Sequence, residues 1–465
     1  MKEIIVIGSG LAGSVLCREL SKSANVTLLE KGEKDLISYP NLLFKEKKLA
    51  PFNTFCFSGG GGSNLWHNGL IPIGIDDVIS KPFAELLKKA EPYTNKAAEM
   101  LNFDGDYSAD YADIVSEMNE LAASIGFFED GVDCLIYPKK YSKLTVPNKV
   151  KAYYSVRNIA FTSIEDETKR VTFTQDDRTH SIDADFIILA AGTFSTPELV
   201  KRILQTNNLN NEELGRGLID HPAGFVGKVK FTKDIAKKIN KFSSYHKDNY
   251  ESCTGIRIKS DCQKYTCFAF LRPAFTMSNH LSIYQYKSLL GGSSGIERIK
   301  NALSLKLFHP DILVEVISHV LGVSIPSNTF NVLVYFQQHQ GDNEVDYKEG
   351  SHVIKWDVKN KELEVYNALL EKLDQKLNSF AIETNMQKPI NNDWLRSGAH
   401  HSGTISLDEK KIGCINENLK LNGSSNVYVC DGSVIQEHSY ANTGLTIGKL
   451  ALRLSEHINQ LNVKS

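Results

Sequence analysis

The sequence lacks several features that would assign it to a class at once. Its eight cysteines include no C-x-x-C pair, which argues against a structural zinc or iron–sulfur site and predicts reduced thiols packed as small apolar residues. It has no apolar run of about 18 residues or more, so no membrane-spanning helix is expected. The first residues, MKEIIVIGSG, lack the regions of a secretory signal. We therefore expect a cytoplasmic protein.

An excess of charge of one sign is also missing. The 465 residues carry a net charge of -2, with 23% charged residues and no long basic block. A nucleic-acid partner is therefore not expected. A hydrophobic content of 42% is ordinary for a globular protein, and the length allows more than one substructure.

The N-terminal stretch EIIVIGSGLAGSVLCRELSKSANVTLLEKGE reads as strand, turn, helix and strand. Gly8, Gly10 and Gly13 have the G-x-G-x-x-G spacing of a dinucleotide site. Gly8 permits the tight turn, Gly10 lets the backbone approach a pyrophosphate, and Gly13 lets the helix pack closely on the strand. Glu30 ends the second strand, where a carboxylate binds an adenosine ribose and disfavours NADP. The motif leaves FAD and NAD open.

Three later segments continue this pattern. FSGGGGSNLWHNGLIPI (57–73) is a second glycine-rich loop, whose free N–H groups suit a planar or anionic ligand. ADFIILAAGTFSTPELV (184–200) reads as a buried strand, a small-residue turn and a helix start. NVYVCDGSVIQEHSYANTGLTIGKLALRLSEHI (426–458) reads as a strand, a loop and an amphipathic helix. The strands are expected to join the first sheet beside the dinucleotide.

Together these segments resemble the glucose-methanol-choline (GMC) oxidoreductases, flavoproteins that oxidise alcohols. The resemblance implies a Rossmann-like FAD-binding domain of the GMC type in an α/β chain, with a discontinuous α+β substrate domain built on an antiparallel sheet. The stretches 75–145 and 225–395 match only loosely. The motifs follow the family's order: GSGLAG with Glu30, GGGGSNLWHNG, ILAAGTFSTPELV, GRGLIDHPAG (215–224), HHSGT and DGSVIQEHSYANTGLTI.

The resemblance also implies how the domains are divided. The FAD-binding domain is expected from residues 1–75, 146–224 and 397–465, with a substrate or lid region over 76–145 and a substrate-binding domain over 225–396. Four aromatic and β-branched segments suit the antiparallel sheet: GFVGKVKF, YTCFAFLRPAF, HLSIYQY and FNVLVYFQQHQ.

Two further segments of the substrate domain allow more than one reading. Residues 294–323 read as two helices broken at Pro310, and their apolar stripe is more typical of a core than of a membrane surface. Polar residues 337–340 are expected either to line a pocket or to face solvent.

The adjacent histidines of SGAHHSGTISL raise the question of which one acts. The oxidation of an alcohol by a flavin needs a base for the hydroxyl proton, and histidine suits this role. The family's H-x-x-G pattern selects His400 as the base, and its spacing after Asp431 selects Asn442 to orient the substrate oxygen. On an extended segment His401 faces the other way, so we expect it either to be structural or to support the residues that contact the substrate. We expect no metal site. His438 is expected either in the pocket or on the surface.

The resemblance implies that FAD is bound without a covalent link. Some family members tether FAD through a histidine in the glycine-rich loop, but Trp66 occupies that position here and His67 follows one residue late. Cofactor contacts are expected at Gly8, Gly10, Leu11, Ala12, Gly13, Glu30, Lys31, Gly61, Gly62, Asn64, Asn68, Gly69, Ala191, Gly192, Asp431, Gly432, Asn442 and Thr443.

Three functions follow from these expectations. The first is the FAD-dependent oxidation of a small-molecule alcohol to a carbonyl, with O₂, a quinone or a protein as electron acceptor. The second is a lyase of the hydroxynitrile type on the same scaffold. The third is a redox-inactive FAD-binding protein that acts through partners.

Overall fold

The chain folds around two large β-sheets that face one another across a cavity. All eight cysteines are free thiols, and only Cys262 is exposed. The described part of the chain contains no helix that is both long and apolar enough to cross a membrane. The computed structural model describes residues 1–46, 53–126, 131–140, 143–164, 167–262, 264–277 and 325–464, together with 310, 311, 313 and 317.

The first sheet is parallel and buried on both faces. Its central strand begins the chain, and Ile4, Ile5, Val6 and Ile7 are each no more than 3% exposed, as a continuous apolar run in a covered parallel strand requires. The strand order is β19, β9, β1, β2, β5. The ranges are β1 (Glu3–Ile7), β2 (Asn25–Leu29), β5 (Lys151–Tyr153), β9 (Phe186–Leu189) and β19 (Val427–Val429).

Eight helices whose bounds lie within the described residues cover the sheets. Several begin at side-chain caps: Ser80 and Asp106 each accept a hydrogen bond from a backbone N–H in the first turn of the helix that follows. The last helix packs against the first, and also against two helices from the region expected to cover the substrate. The ranges are α1 (Leu11–Leu20), α2 (Lys81–Ala90), α3 (Thr94–Met100), α4 (Tyr107–Ala123), α5 (Thr196–Thr206), α6 (Lys233–Ser243), α7 (Asn360–Asn378) and α8 (Gly444–Lys464).

The second large sheet is antiparallel and has eight strands. Six lie in the order β11, β12, β13, β14, β10, β17, while β4 pairs with β12 and β18 with β10. Alternate residues of the central strands point toward the cavity, as the period of a strand requires. The ranges are β4 (Val132–Pro138), β10 (Pro222–Phe231), β11 (Tyr245–His246), β12 (Tyr250–Lys259), β13 (Thr266–Ala274), β14 (Thr329–Phe336), β17 (Ala381–Met386) and β18 (Arg396–Ser397).

Two three-stranded sheets complete the architecture. One has the order β15, β16, β3 and joins a C-terminal hairpin to an N-terminal strand. The other is the antiparallel meander β6, β7, β8. The ranges are β3 (Leu42–Phe44), β6 (Arg157–Ile164), β7 (Glu167–Gln175), β8 (Arg178–Asp183), β15 (Glu344–Lys348) and β16 (Ser351–Lys355).

The architecture confirms the predicted fold class, whereas the predicted domain division stays a prediction. Three of the four segments assigned to the antiparallel sheet form β10, β13 and β14, and the fourth (280–286) lies outside the described residues. Most of the two helices predicted over 294–323 also lies outside them. Leu313 and Ile317 are described, are helical and are 41% and 45% exposed, so a core position was wrong for these two side chains.

Candidate active site

The two large sheets enclose a cavity of about 730 Å³, a volume typical of ligand sites. The carboxyl ends of β1, β2, β9 and β19 open into it through the residues that follow each strand, which is where ligands bind to parallel sheets. Side chains of β4, β13 and β14 form the opposite wall. The cavity is therefore built by segments far apart in the sequence.

The first glycine-rich turn forms one end of this cavity. Gly8 has φ +103°, and a Cβ added there would lie 2.3 Å from the Ala190 carbonyl oxygen. A Cβ on Gly13 would lie 1.9 Å from the Gly8 oxygen, so α1 packs as closely on β1 as the spacing predicts. Gly10 lines the cavity, and no atom lies within 4 Å of where its Cβ would be. The turn is therefore tightly packed against the protein at Gly8 and Gly13, and it leaves space for a ligand at Gly10.

Glu30 lines the same end, but its carboxylate is already engaged. Its Oε2 accepts hydrogen bonds from the backbone N–H of Ser9 at 2.8 Å and from the Ser9 hydroxyl at 2.6 Å, and its Oε1 accepts one from Gly32 N–H at 2.7 Å. Burial raises its pKa. Glu30 thus holds the glycine-rich turn in shape, and binding a ribose would use its remaining lone pairs.

The second glycine-rich loop lies against the first. Gly61 has φ +49°, and a Cβ there would meet the Cα of Gly10 at 2.9 Å. Gly62 lines the cavity with no atom within 4 Å of its Cβ position. Because Gly10 and Gly62 have no side chains, both loops leave space toward the cavity and together form a cradle. Any larger residue at either position would place its side chain in that space.

Asp431 joins the loop after β19 to the loop after β9. Its Oδ2 accepts hydrogen bonds from Gly192 N–H at 2.8 Å and from the Thr196 hydroxyl at 2.6 Å, and its Oδ1 accepts one from Ser433 N–H at 2.8 Å. Asp431, Gly192 and Gly432 all line the cavity. Burial raises the pKa of the Asp431 carboxyl.

His400 lines the cavity and is bound from behind by a second histidine. The Nδ1 atoms of His400 and His221 lie 2.8 Å apart, and the Nε2 of His221 lies 2.8 Å from the carbonyl oxygen of Ser439. Burial lowers the pKa of His400 to about 4 and places the pKa of His221 well below its ordinary value. Both rings are therefore neutral near pH 7.

These contacts determine where the protons sit. A carbonyl oxygen only accepts, so the Nε2 of His221 carries hydrogen and donates it to Ser439. The Nδ1 of neutral His221 is then an acceptor, so the Nδ1 of His400 carries hydrogen and donates it to His221. The Nε2 of His400 is left with an unshared lone pair, and it has no hydrogen-bond partner among the described residues.

Asp220 is the negatively charged residue beside His221 and His400. It is fully buried, and its Oδ1 accepts hydrogen bonds from the backbone N–H groups of His221 at 2.6 Å and His400 at 3.1 Å. Burial raises its pKa, but the attraction of His401 and the hydrogen bonds it accepts lower it further, so the pKa lies well below its ordinary value. The carboxylate therefore holds the backbone on both sides of the histidine pair.

His401 also lines the cavity, contrary to the expectation that it faces away. Strict alternation fails because Ala399, two residues before it, has φ +64° and interrupts the extended chain. The Nδ1 of His401 lies 2.6 Å from Asp220 Oδ2 without hydrogen-bond alignment, and its Nε2 lies 2.7 Å from the Thr54 hydroxyl. Both ring nitrogens thus face protein groups, which fits the predicted supporting position.

His438 is fully buried, so a position on the protein surface is wrong for this residue. It does not line the cavity, and its ring packs edge-on against His221 with centroids 4.0 Å apart. Neither ring nitrogen has a hydrogen-bond partner among the described residues. Burial lowers its pKa to about 3, so it remains neutral.

Asn442 lies where the last loop meets α8. It lines the cavity together with Thr443 and Gly444, and one N–H of its amide donates to the Gly69 carbonyl oxygen at 3.3 Å. The helix N-terminus therefore opens into the cavity that His400 lines. Such an end carries unpaired N–H groups and a partial positive charge.

The C-terminal part of the chain is similar to a known protein family. A family model described as GMC oxidoreductase matches residues 347–451. This stretch is similar to the C-terminal part of the GMC oxidoreductases. It contains His400, Asp431 and Asn442, and it confirms the resemblance seen in the motifs.

Solved structures of similar fold match the whole chain. Pyridoxine 4-oxidase from Mesorbium loti shares 12% identity, with 99% of each chain covered and a TM-score of 0.61. A formate oxidase from Aspergillus oryzae RIB40 shares 14% identity over 100% of this chain and 99% of its own, with a TM-score of 0.60. An FAD-dependent oxidoreductase from Chaetomium thermophilum shares 14% identity over 99% of this chain and 100% of its own, with a TM-score of 0.60. At 12–14% sequence identity, these similarities show a shared fold and nothing about activity. No curated protein matches the chain in sequence.

Most of the residues predicted from the GMC motifs are brought together in the cavity, and four are not. Asn64 lies behind it and donates to the carbonyl oxygens of Gly59 and Gly61. Asn68 is buried, adopts φ +56° and donates to the Leu101 carbonyl oxygen. The other two are Gly13, which packs α1, and Gly69, which holds Asn442. The predicted residues that line the cavity are Gly8, Gly10, Leu11, Ala12, Glu30, Lys31, Gly61, Gly62, Ala191, Gly192, His400, Asp431, Gly432, Asn442 and Thr443.

None of the polar residues 337–340 lines the cavity, and two of them, Gln338 and Gln340, support the site from outside it. Neither the predicted pocket position nor solvent exposure applies to Gln338. This side chain is 1% exposed and accepts hydrogen bonds from Asp220 N–H and from the Trp356 indole. Gln340 donates to the Gly403 carbonyl oxygen at 2.8 Å.

Sequence reasoning missed Asp220 and His221 as members of the site. Both lie in GRGLIDHPAG, which was matched to the GMC family without a chemical role. The sequence feature that could have identified them is an aspartate next to a histidine, directly before a strand of the antiparallel sheet. Their partner His400 lies 179 residues later, which no local pattern reveals.

Proposed function

We propose that this protein is an FAD-dependent oxidoreductase that oxidises an alcohol to a carbonyl compound. One observation carries the proposal: His400 presents an unprotonated Nε2 to the cavity that also contains the glycine cradle. A GMC oxidoreductase requires a flavin site and a base in one cavity. The GMC match over 347–451 supports the oxidoreductase class.

FAD fits the residues present. Gly10 and Gly62 leave the space that a pyrophosphate needs, and the start of α1 offers unpaired N–H groups to an anion. Leu11, Ala12 and Gly8 would hold the phosphates, and Glu30 and Lys31 the adenosine end. Asn442 and Thr443, at the start of α8, would hold the flavin end. When bound, FAD supplies the hydride acceptor.

The protein's own residues provide the proton transfer and the orientation. The Nε2 of His400 accepts the hydroxyl proton, and the resulting imidazolium lies beside the Asp220 carboxylate, which stabilises the positive charge. The free N–H of Asn442 donates to the substrate oxygen and fixes the direction of its C–H bond. Asn442 cannot take up the proton, so His400 is the member of this pair that serves as base.

We propose that FAD is bound without a covalent bond. Trp66 packs on the start of α8, where a Cβ on Gly444 would lie 2.5 Å from its ring. An indole at this position offers no nucleophilic nitrogen for a tether, and His67 lines the cavity one residue later. Acid precipitation provides the test, since the yellow cofactor is expected in the supernatant. Flavin that stays with the polypeptide would contradict this proposal.

An anaerobic experiment tests the function. The purified protein is expected to show a flavin spectrum that bleaches when an alcohol from a broad panel is added. His400→Ala and Asn442→Ala are expected to slow bleaching by about 100-fold or more and by about 10-fold or more. His246→Ala, on an exposed histidine, is the matched control. Turnover like that of the unmodified protein in both site variants would refute the assigned roles, and carbonyl release from a cyanohydrin without bleaching would indicate a lyase.

A further inference from the structure

Arg272 stands on the wall of the cavity opposite the glycine cradle. It lies on β13, on the same face as Phe268 and Phe270, and all three residues line the cavity. Its guanidinium carbon lies 5.5 Å from the centre of the Phe270 ring, and Tyr137 lines the cavity on the same wall. The group is fixed by aromatic neighbours and points into the enclosed space.

This guanidinium has no carboxylate partner among the described residues. Its ionisable neighbours are Cys253, Tyr137 and Tyr335. Burial raises the pKa of each of these three groups, so all are neutral near pH 7. Arginine remains protonated in proteins, so the half-buried guanidinium of Arg272 carries a charge that none of these groups neutralises. An anion that enters the cavity would therefore meet a guanidinium without a carboxylate partner among the described residues.

Arg272 lies at the His400 end of the cavity. The ring of Tyr335 stands perpendicular to that of His221 with centroids 6.2 Å apart, and it lies 5.9 Å from the ring of Phe270. His221 in turn contacts His400. The other cations that line the cavity, Lys31, Arg157 and Arg202, lie with the residues of the adenosine end. Arg272 is thus placed to meet the substrate, not the dinucleotide phosphates.

We propose that Arg272 binds an anionic group of the substrate, which makes the substrate an alcohol bearing a carboxylate or a phosphate. The inference rests on the proposed alcohol oxidation and names its substrate class. A guanidinium pairs with such oxyanions through two parallel hydrogen bonds. The hydroxyl of Tyr335, which has no hydrogen-bond partner among the described residues, supplies a further donor. Phe268 and Phe270 contact the carbon chain between the anion and the alcohol.

The test compares matched alcohols in flavin bleaching. Hydroxycarboxylates of graded chain length are compared with their neutral amides, and phosphorylated alcohols with the parent diols. At least one anionic series is expected to exceed its neutral counterpart in kcat/KM by about 10- to 100-fold, the range of a charge-assisted hydrogen bond pair. The series that responds distinguishes a carboxylate from a phosphate.

Variants assign the preference to this residue. Arg272→Gln is expected to raise KM for the anionic alcohol by about 10- to 100-fold and to leave the neutral alcohol nearly unchanged. Arg272→Lys keeps the charge and is expected to lose only part of the preference. Arg170→Gln, which removes an exposed arginine paired with Asp183, is the matched control and is expected to change neither value.

A binding measurement separates this inference from the proposed function. Carboxylates and phosphates without a hydroxyl group are titrated against the spectrum of the bound flavin, which needs no turnover. Tighter binding to the unmodified protein than to Arg272→Gln supports the anion site even if no alcohol is oxidised. Equal binding of the anions to both proteins would overturn the proposed anion site. Equal kcat/KM for neutral and anionic alcohols would also overturn it. Neither result would contradict the proposed alcohol oxidation. If Arg272→Gln loses FAD, the comparison is made with Arg272→Lys.

Discussion

The Nδ1 atoms of His221 and His400 lie 2.8 Å apart, although 179 residues separate the two histidines in sequence. The pair forms because β10 and β18 are antiparallel neighbours, with Pro222 opposite Ser397. The Gly398 N–H donates to the His221 carbonyl oxygen at 2.8 Å and extends this pairing toward His400. A backbone ladder thus brings together two rings whose shared hydrogen determines which nitrogen of His400 is basic.

Removing the acceptor behind His400 should lower activity without removing the base. His221→Phe keeps a ring of similar size but leaves the Nδ1 hydrogen of His400 without a partner, which costs about 1–3 kcal/mol. We expect kcat to fall by about 10- to 100-fold while KM changes little. Steady-state kinetics on the best alcohol provides the measurement.

His221→Gln distinguishes positioning from simple packing. Its amide oxygen accepts from His400 and its amide N–H donates to Ser439, so we expect it to recover part of the lost kcat. A glutamine variant no more active than the phenylalanine variant would show that His221 only fills space.

The pH dependence of catalysis should reflect the low pKa of His400. Burial lowers that pKa to about 4, so the base stays unprotonated from about pH 5 upward and loses its lone pair only below that range. We expect kcat/KM for a neutral alcohol to be flat between about pH 5 and 8 and to fall toward pH 4. Retention of flavin and of the circular dichroism spectrum at each pH is the control. An inflection near pH 6.5 would contradict the assigned environment of His400.

The buried histidines should make the fold sensitive to acid. The pKa of His438 is about 3 in the folded chain and about 6.5 in the unfolded chain, so below pH 6.5 the unfolded chain binds the additional proton. Stability is therefore present above that pH and is lost as the pH falls. Between pH 7 and 5 this histidine should account for about 2 kcal/mol of the lost free energy of unfolding.

His438→Leu tests this contribution. The leucine has similar volume and no proton to bind, so we expect its free energy of unfolding in urea to fall less between pH 7 and 5 than that of the unmodified protein. His246→Leu, on an exposed histidine, should leave the pH dependence unchanged. Identical slopes for the unmodified protein and His438→Leu would contradict the prediction.

Three glycine variants should separate cofactor binding from folding. Gly10→Ala places a methyl group in the open cradle, so we expect a folded protein of unchanged melting temperature, compared without FAD, that binds FAD at least about 10-fold more weakly. Gly13→Ala places one 1.9 Å from the Gly8 oxygen, so we expect a large loss of stability. Gly341→Ala, at an open position outside the cavity, should change neither property. Full FAD affinity in Gly10→Ala would refute the cradle.

The local patterns of the sequence predicted the parts of the site that single segments build. The Gly8 turn, the buried β1 strand and α8 each follow from residues close together in the chain, and the structure contains all three. The glycine spacing predicted the turn, and the pattern of apolar residues predicted the strand and the helix, because burial on one face or on both faces sets the spacing of apolar residues.

The rest of the site depends on strand pairing, which a single sequence does not record. Asp220 and His221 reach His400 only through the register of β10 and β18, and Arg272 faces the cavity only because β13 is central in its sheet. The extended conformation assumed for His401 failed at Ala399, whose positive φ is uncommon for alanine.

Asp220 and Arg272 are tied to the fold to different degrees, and this has a consequence for how this scaffold diversifies. Asp220 holds the chain around the base, so exchanging it would disturb folding and proton transfer together. The cavity-facing positions of β13 carry Phe268, Phe270 and Arg272 and make none of those hydrogen bonds. New substrates can therefore be acquired by replacing side chains on this one strand, while the chemistry is inherited unchanged.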